Sequence, residues 1–209
     1  MSSSLDKIKN LLTYTVTSGK SYNGRNHETG YHSLTIGDQV LTGQRNPAQR
    51  LSNVPYDFEN KSVLDIGSNQ GGMLFEISDK ISYGLGIDFD PRLVNVANRI
   101  SNEFNYNIDF YNFDLAKEDF DLIKSLSRTN KIDVVFLLSV CMWIPTWRDL
   151  IVWVSKNAEH CLFETNGNEQ TQTDQIEMLT KTFRKIKMLS ERSDDDLGQK
   201  KRKLLWCTS

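Results

Sequence analysis

The stretch that decides the fold is VLDIGSNQGG at residues 63–72, which joins a short apolar run to a glycine-rich turn. The apolar run has the length of a buried strand, and the residues after Gly72 are compatible with a helix. Open α/β sheets bind ligands at such a strand end, because the first N–H groups of the following helix are free there. The alternative is a tight turn that only requires positive φ at Gly67 or Gly71.

The residues around this stretch alternate between short apolar runs and segments of helical periodicity. We predict strands at residues 62–66, 83–87, 108–113, 132–138 and 160–164, and helices at 73–80, 91–104, 117–128 and 147–157. Strands that alternate with helices imply parallel crossovers and a sheet covered on both faces. Residues 134–138 are apolar throughout, which is typical of a central parallel strand.

The N-terminal part of the chain has a different pattern. Residues 31–36 and 39–42 predict a hairpin around the turn Gly37-Asp38. We therefore predict that residues 1–58 form a cap that lies against the main sheet, and that residues 59–209 form the main domain.

The C-terminal part predicts a helix and a second hairpin. The helix is expected at residues 173–185, and the strands of an antiparallel hairpin are expected at 185–191 and 203–207. A polar stretch that contains the acidic run 194–196 and the basic run 200–203 joins these two strands. We interpret the charges as a solvated turn, with a phosphate-binding patch as the alternative.

Composition restricts the class of protein. The 209 residues carry 25 Lys and Arg against 27 Asp and Glu, a formal net charge of −2, which argues against a broad phosphate-binding surface. No stretch approaches the roughly 18 consecutive apolar residues of a membrane span, so we expect a cytoplasmic protein. Three cysteines and three histidines do not have zinc-ligand spacing, so we expect no structural metal.

The glycine turn has to be assigned to one of two kinds of ligand. A dinucleotide site requires G-x-G-x-x-G, with its second glycine bare so that the pyrophosphate can approach the backbone. Gly67 and Gly72 fit the first and third positions, but Asn69 occupies the second. A side chain at that position disfavours a nicotinamide or flavin site.

The same residues resemble motif I of the class I S-adenosylmethionine-dependent methyltransferases, in which Asp65, Gly67 and Gly71 match the acid-x-Gly-x-x-x-Gly pattern. The resemblance covers roughly residues 61–166. It implies a Rossmann-like α/β fold: a seven-stranded, mainly parallel sheet with helices on both faces and an antiparallel C-terminal strand. It also implies S-adenosylmethionine as cofactor and S-adenosylhomocysteine as product.

The resemblance also implies a role for residues at the ends of successive strands. Asp88 would accept both ribose hydroxyls, since a carboxylate offers two acceptors to two neighbouring donors. Asp114 would bind the adenine amino group, and Ser139 falls where the methionine part of the cofactor passes. The predicted cofactor-binding residues are Asp65, Gly67, Ser68, Asn69, Gly71, Asp88, Phe89, Asp114, Leu115 and Ser139.

The acceptor is less constrained by the sequence. The loop at 139–145 lacks the Asn/Asp-Pro-Pro-aromatic signature of enzymes that methylate nucleic-acid bases, so we expect methyl transfer to an oxygen or nitrogen of a small molecule. Its pattern Leu-Ser-Val-x-x-Trp-Ile resembles RNA 5′-phosphate methyltransferases, which makes RNA the first alternative. Residues 163–167 depart from that family. A regulatory protein that binds S-adenosylmethionine without catalysis is the second alternative.

Five residues are candidates for the acceptor side of the site. Trp143 forms an aromatic wall or packs in the core, and Glu164 and Asn166 share one side of an extended chain, so both can face an acceptor. His32 is the histidine to test as a base, although a core histidine is the simpler interpretation. Arg45 is a candidate for substrate or, with Arg50, for the methionine carboxylate of the cofactor; the alternative is surface ion pairing.

Overall fold

A computed structural model of the chain describes residues 4–15, 30–36, 39–192 and 201–209. Its strands are β1 Leu34–Ile36, β2 Gln39–Leu41, β3 Ser62–Ile66, β4 Tyr83–Asp88, β5 Ile108–Asn112, β6 Ile132–Leu138, β7 Ala158–Glu164, β8 Lys185–Ser190 and β9 Leu204–Thr208. Its helices are α1 Ser4–Thr13, α2 Pro47–Leu51, α3 Gly72–Phe75, α4 Pro91–Phe104, α5 Leu122–Leu126, α6 Trp147–Asn157 and α7 Glu169–Thr182.

Seven of these strands form one sheet in the order β5-β4-β3-β6-β7-β9-β8. The five strands from β5 to β7 are parallel, and β9 runs antiparallel to both β7 and β8. The predicted Rossmann-like sheet with an antiparallel C-terminal strand is confirmed. Because the strand order reverses between β3 and β6, their carboxyl ends border the crevice in which such sheets bind ligands.

The central strand β6 divides the core between the two faces of the sheet. Val135 and Leu137 pack on one face, and Val134 and Phe136 pack on the other. All four side chains are essentially inaccessible to solvent. A strand buried on both faces must be apolar at every position, which is the pattern that the sequence shows.

Several predicted helix boundaries were wrong. The helix expected at 117–128 is reduced to α5. The carboxylates of Asp114 and Asp119 accept hydrogen bonds from the backbone amides of Ala116 and Asp121, and these bonds form local turns in place of the helix. The helix expected at 73–80 ends at Phe75 and continues as turns. Helix α7 begins earlier than predicted, since Asn168 accepts a hydrogen bond of 2.8 Å from the Thr171 amide and caps it.

The N-terminal cap contains a helix that the sequence reasoning missed. Helix α1 carries Ile8 and Leu12 four residues apart, and both are buried together with Leu34 and Leu41 against helix α4. The hairpin of β1 and β2 is present, while its turn at residues 37–38 lies outside the described residues. Helix α1 and the hairpin pack against α4, and the segment 51–58 packs on the sheet. The division into a cap of residues 1–58 and a main domain of residues 59–209 stays a prediction.

Candidate functional site

The turn after β3 has a backbone that only glycine accommodates at two positions. Gly67 has φ +77° and Gly71 has φ +83°. A Cβ at Gly67 would lie 2.7 Å from Val140 Cγ2, and one at Gly71 would lie 2.5 Å from the Phe110 ring. The glycines are therefore required by conformation and by space, and the bare backbone leaves a cradle at the carboxyl end of β3.

Asn69, which stands where the G-x-G-x-x-G pattern has its second glycine, takes the left-handed conformation with φ +51°. Its backbone amide donates a hydrogen bond of 2.9 Å to Asp88 Oδ2, and its own Oδ1 accepts one of 2.9 Å from the Gln70 amide. Asparagine tolerates this conformation better than most side chains, since it can bond local backbone. The side chain thus stabilises the turn itself.

Asp88 ends strand β4 and is 7% exposed. Its Oδ2 accepts the Asn69 amide, and its Oδ1 accepts the Asp90 amide at 2.9 Å. Burial raises the pKa of this carboxyl above its usual value, and the two backbone hydrogen bonds oppose that rise. Each oxygen retains a further acceptor site, so the carboxylate is held in a fixed orientation and can still bind two hydroxyls.

The cradle contains two buried polar atoms that have no hydrogen-bond partner among the described residues. They are Asp65 Oδ2 and Ser68 Oγ. Burial raises the pKa of Asp65 to about 7, with a further contribution from the charge of Asp88, while Arg50 opposes it. Buried polar atoms normally have partners, so these two fit a site for a polar ligand such as S-adenosylmethionine.

The remaining predicted cofactor residues lie at the ends of β4 and β5. The Phe89 ring is 67% exposed, which leaves a face available for stacking on an aromatic base. Lys117 Nζ lies 2.8 Å from a carboxylate oxygen of Asp114, and the charged hydrogen bond between them lowers the pKa of Asp114. Leu115 is half-buried against the core. The adenine-binding role of Asp114 stays a prediction, because its carboxylate is engaged locally.

A buried ionic cluster is centred on Glu164 at the end of β7. Arg45 Nη2 lies 2.7 Å from Oε1, Arg50 Nη2 lies 3.1 Å from Oε2, and the Ser139 hydroxyl donates to Oε2. Burial alone raises the pKa of Glu164, but the arginines and Ser139 outweigh it and lower the pKa to about 2. Glu164 therefore stays ionised and is a poor general base. Arg45 and Arg50 form buried ion pairs, so the alternative of surface ion pairing was wrong.

Asn166 is fully buried and bonds protein groups on every side. Its Nδ2 donates to the Ser139 carbonyl, and its Oδ1 accepts from the Met142 amide at 3.1 Å and from Gln175 Nε2 at 3.1 Å. The amide group thus holds the loop after β6 in place. Gln175 could not be recognised from the sequence, because a polar residue on a helix is ordinarily exposed.

His32 lies behind the glycine turn. A Cβ at Gly72 would be 2.3 Å from His32 Cβ, so the two residues are in close contact. Burial lowers the pKa of His32 well below its usual value, and the charges of Arg50 and Arg45 lower it further. The imidazole is therefore neutral at physiological pH. Nearby, Thr15 after α1 accepts a hydrogen bond from Gln70 Nε2, so the cap touches the glycine turn directly.

Trp143, the predicted aromatic wall of the acceptor side, and Trp147, four residues later, have different environments. Trp147 is 9% exposed and packs in the core, whereas Trp143 is 65% exposed. An open groove of about 420 Å³ lies between the loop after β6 and the start of α7. Its lining consists of Met142, Trp143, Ile144, Pro145, Trp147, Gly167, Asn168 and Thr171.

The strand order, the glycine turn after β3 and the carboxylate after β4 define a class I methyltransferase. The chain belongs to the methyltransferase domain family, whose model matches residues 43–200, and it is an S-adenosylmethionine-dependent methyltransferase. The matched range extends beyond the predicted motifs at both ends. It includes Arg45, Arg50 and helix α7.

Solved structures have the same fold. The N-terminal domain of EvdMO1 with S-adenosylhomocysteine bound is 12% identical, with a TM-score of 0.68 over 100% of this chain and 98% of that chain. Magnesium protoporphyrin IX methyltransferase from Synechocystis PCC 6803, solved with S-adenosylmethionine, is 17% identical, with a TM-score of 0.55 over 78% of this chain and 75% of that chain.

WbdD is 18% identical, with a TM-score of 0.64 over 80% of this chain and 42% of that chain. The chain thus spans less than half of WbdD, and it covers 49% of the whole EvdMO1 chain. No curated protein matches it. No helix of the described residues is long and apolar enough to cross a membrane, and no metal-binding cluster of acidic, histidine or cysteine residues occurs in the same part of the chain.

Proposed function

We propose that the protein transfers the methyl group of S-adenosylmethionine to an oxygen or nitrogen of a small-molecule acceptor. The observation that carries this proposal is the exposed Trp143 on the groove beside the loop after β6. Aromatic and apolar walls with a few polar groups are typical of small-molecule sites. None of the described residues that line the groove is a lysine or an arginine, the side chains that usually neutralise the phosphates of an RNA backbone.

The cofactor, when bound, supplies a methyl group already activated by a sulfonium. The chain then has to orient the cofactor and the acceptor and to exclude water. We expect Asp88 to hold the ribose, because backbone amides fix the orientation of its carboxylate, and we expect Asp65 and Ser68 to bind polar groups of the cofactor in the glycine cradle. Of the candidate bases, His32 has a neutral imidazole that can accept a proton, but the burial that lowers its pKa also makes it a weaker base; Glu164, with a pKa of about 2, is a weak base as well.

The roles of the remaining candidates follow from their contacts. Asn166 acts through the loop that it holds and not as a group that touches the acceptor. Ser139 is hydrogen-bonded to Glu164, and its backbone has φ +61°, so its conformation is fixed at the start of this loop. We expect Trp143 to be the principal acceptor-binding side chain.

The test is a radiolabelled-methyl assay over separated metabolite and RNA fractions. We expect label in the small-molecule fraction. One structure of the N-terminal domain of EvdMO1 was solved in the presence of S-adenosylhomocysteine and D-fucose, so sugars belong in the first acceptor panel. Label confined to RNA would favour the RNA alternative. Binding of S-adenosylmethionine with no labelled product in any fraction would favour the regulatory alternative.

A matched pair of variants locates the acceptor. Trp143→Ala should lower kcat/KM by roughly tenfold or more while the affinity for S-adenosylmethionine stays unchanged. Leu122→Ala is the control, because Leu122 is also an exposed large apolar residue but lies on α5. An equal loss in both variants would contradict the assignment of the groove.

A further inference from the structure

Among the described residues 201–203 of the basic run, Arg202 is the one whose side chain contacts Ser139 and lies near Glu164. Its Nη1 donates a hydrogen bond of 3.0 Å to Ser139 Oγ. Lys201, the preceding residue, is exposed. The basic run is therefore not a uniform solvated turn, since Arg202 points to the carboxyl end of β6.

Arg202 is the outermost of the three guanidinium groups around Glu164. Its Nη1 lies 3.8 Å from Glu164 Oε2, which is beyond hydrogen-bond distance, whereas Arg45 and Arg50 approach within 2.7 and 3.1 Å. The Arg202 side chain is 20% exposed, compared with 2% for Glu164. The inner arginines hold the carboxylate, so the charge of Arg202 is only partly compensated and is open to solvent on one side.

The position of Arg202 links it to the acceptor side of the site. Its partner Ser139 begins the loop that ends at the groove. Asn166 bonds the Ser139 carbonyl and the Met142 amide, so Arg202 and the groove are attached to the same rigid loop.

We propose that Arg202 determines specificity for an acceptor that carries an anionic group, either a carboxylate or a phosphate. This inference rests on the proposed function and names the chemical class of its substrate. Arginine suits the task because its planar fork gives two parallel, charge-assisted hydrogen bonds to either group. The hydrogen bond from Nη1 to Ser139 orients the guanidinium group of Arg202, and its remaining N–H groups bind the anion.

The first experiment tests whether Arg202 binds an anionic group of the acceptor or the carboxylate of the cofactor. The protein is saturated with S-adenosylhomocysteine, whose own carboxylate then occupies its site, and is titrated with inorganic phosphate and with acetate at constant ionic strength. We expect millimolar binding of at least one anion. The affinity should fall at least tenfold in Arg202→Gln and remain unchanged in Lys187→Gln, which removes the same charge from an exposed position on β8.

Three results would overturn the inference. They are binding of neither anion by the saturated protein, equal binding by Arg202→Gln and the native protein, and an equal loss in Lys187→Gln. Arg202→Lys keeps the charge but not the fork, so it should bind more weakly than the native protein and more tightly than Arg202→Gln. Thermal unfolding of each variant shows whether a loss of binding reflects a loss of folding.

The second experiment distinguishes this inference from the proposed function. Pairs of acceptors that differ only as an acid and its neutral amide are compared in the methyl-transfer assay. We expect the acid to have the higher kcat/KM with the native protein, and the preference to disappear in Arg202→Gln. Methylation of acid and amide at equal rates would refute the role of Arg202 and leave the small-molecule function intact; label confined to RNA would refute both.

Discussion

The backbone amide of Asn69 donates a hydrogen bond of 2.9 Å to Oδ2 of Asp88. This bond joins the glycine turn after β3 to the carboxylate after β4, which are 19 residues apart in sequence. Since the Asp90 amide holds Oδ1 from the other side, the orientation of the carboxylate is set before any ligand binds. Preorganisation of this kind reduces the entropy that binding has to overcome.

Replacement of Asp88 by alanine should weaken cofactor binding. The variant loses two acceptors for the ribose hydroxyls, and a lost hydrogen bond to a charged group costs about 1.5 to 3 kcal/mol, or roughly 10- to 150-fold in affinity. Calorimetry with S-adenosylhomocysteine measures the change. Asp79→Asn is the control, because Asp79 is exposed. An unchanged affinity in Asp88→Ala would remove Asp88 from the cofactor site.

The positions of Asp65 and Asp88 could be predicted because each depends on a local pattern, a carboxylate at or next to the last residue of a short apolar strand. The Glu164 cluster could not be predicted in the same way. Arg45 and Glu164 are 119 residues apart, and their contact depends on how the cap crosses the sheet. Helix α1 was missed although Ile8 and Leu12 have helical spacing, and its contact with Gln70 through Thr15 depends on tertiary packing alone.

Replacement of Gly71 by alanine should destabilise the protein and abolish cofactor binding. The new Cβ would meet the Phe110 ring at 2.5 Å, and alanine at φ +83° is strained. Strain and overpacking each cost about 1 to 3 kcal/mol. Urea unfolding measures the loss of stability.

A double-mutant cycle with Phe110→Leu separates these two causes. The smaller side chain relieves the collision but not the backbone strain, so the loss caused by Gly71→Ala should be smaller in the Phe110→Leu background. If Gly71→Ala costs no stability in the Phe110→Leu background, the positive φ is not costly. If it costs as much as in the native background, the contact with Phe110 is not the cause.

The stability of the cofactor-free protein should depend on the ionisation of Asp65. Its pKa rises from 3.8 to about 7 on folding, so the folded protein binds this proton more tightly than the unfolded chain. Stability from this group is therefore lost as the pH rises from about 4 through about 7, and it changes little above that.

Asp65→Asn removes the ionisation and tests this dependence. The stability of the variant relative to the native protein should increase by about 2.5 kcal/mol between pH 5 and pH 8, because about two of the roughly three units of the pKa difference fall in this pH range. Urea unfolding at several pH values gives the difference. Asp79→Asn, at an exposed site, should show no such trend. Parallel curves for Asp65→Asn and the native protein would contradict a raised pKa.

Glu164→Gln should have the opposite pH dependence. The pKa of Glu164 falls from 4.5 to about 2 on folding, so its contribution is present above pH 4.5 and is lost as the pH falls towards 2. At pH 7 the variant leaves buried guanidinium groups without their carboxylate, which costs about 3 to 5 kcal/mol. The difference in the free energy of unfolding between the variant and the native protein should shrink by roughly 3 kcal/mol between pH 4.5 and pH 2.

Glu177→Gln is the control, since Glu177 is exposed and lies 4.0 Å from its partner Lys181. This substitution should cost less than about 0.5 kcal/mol. A Glu164→Gln variant that unfolds like this control at pH 7 would show that the cluster does not hold the cap to the sheet.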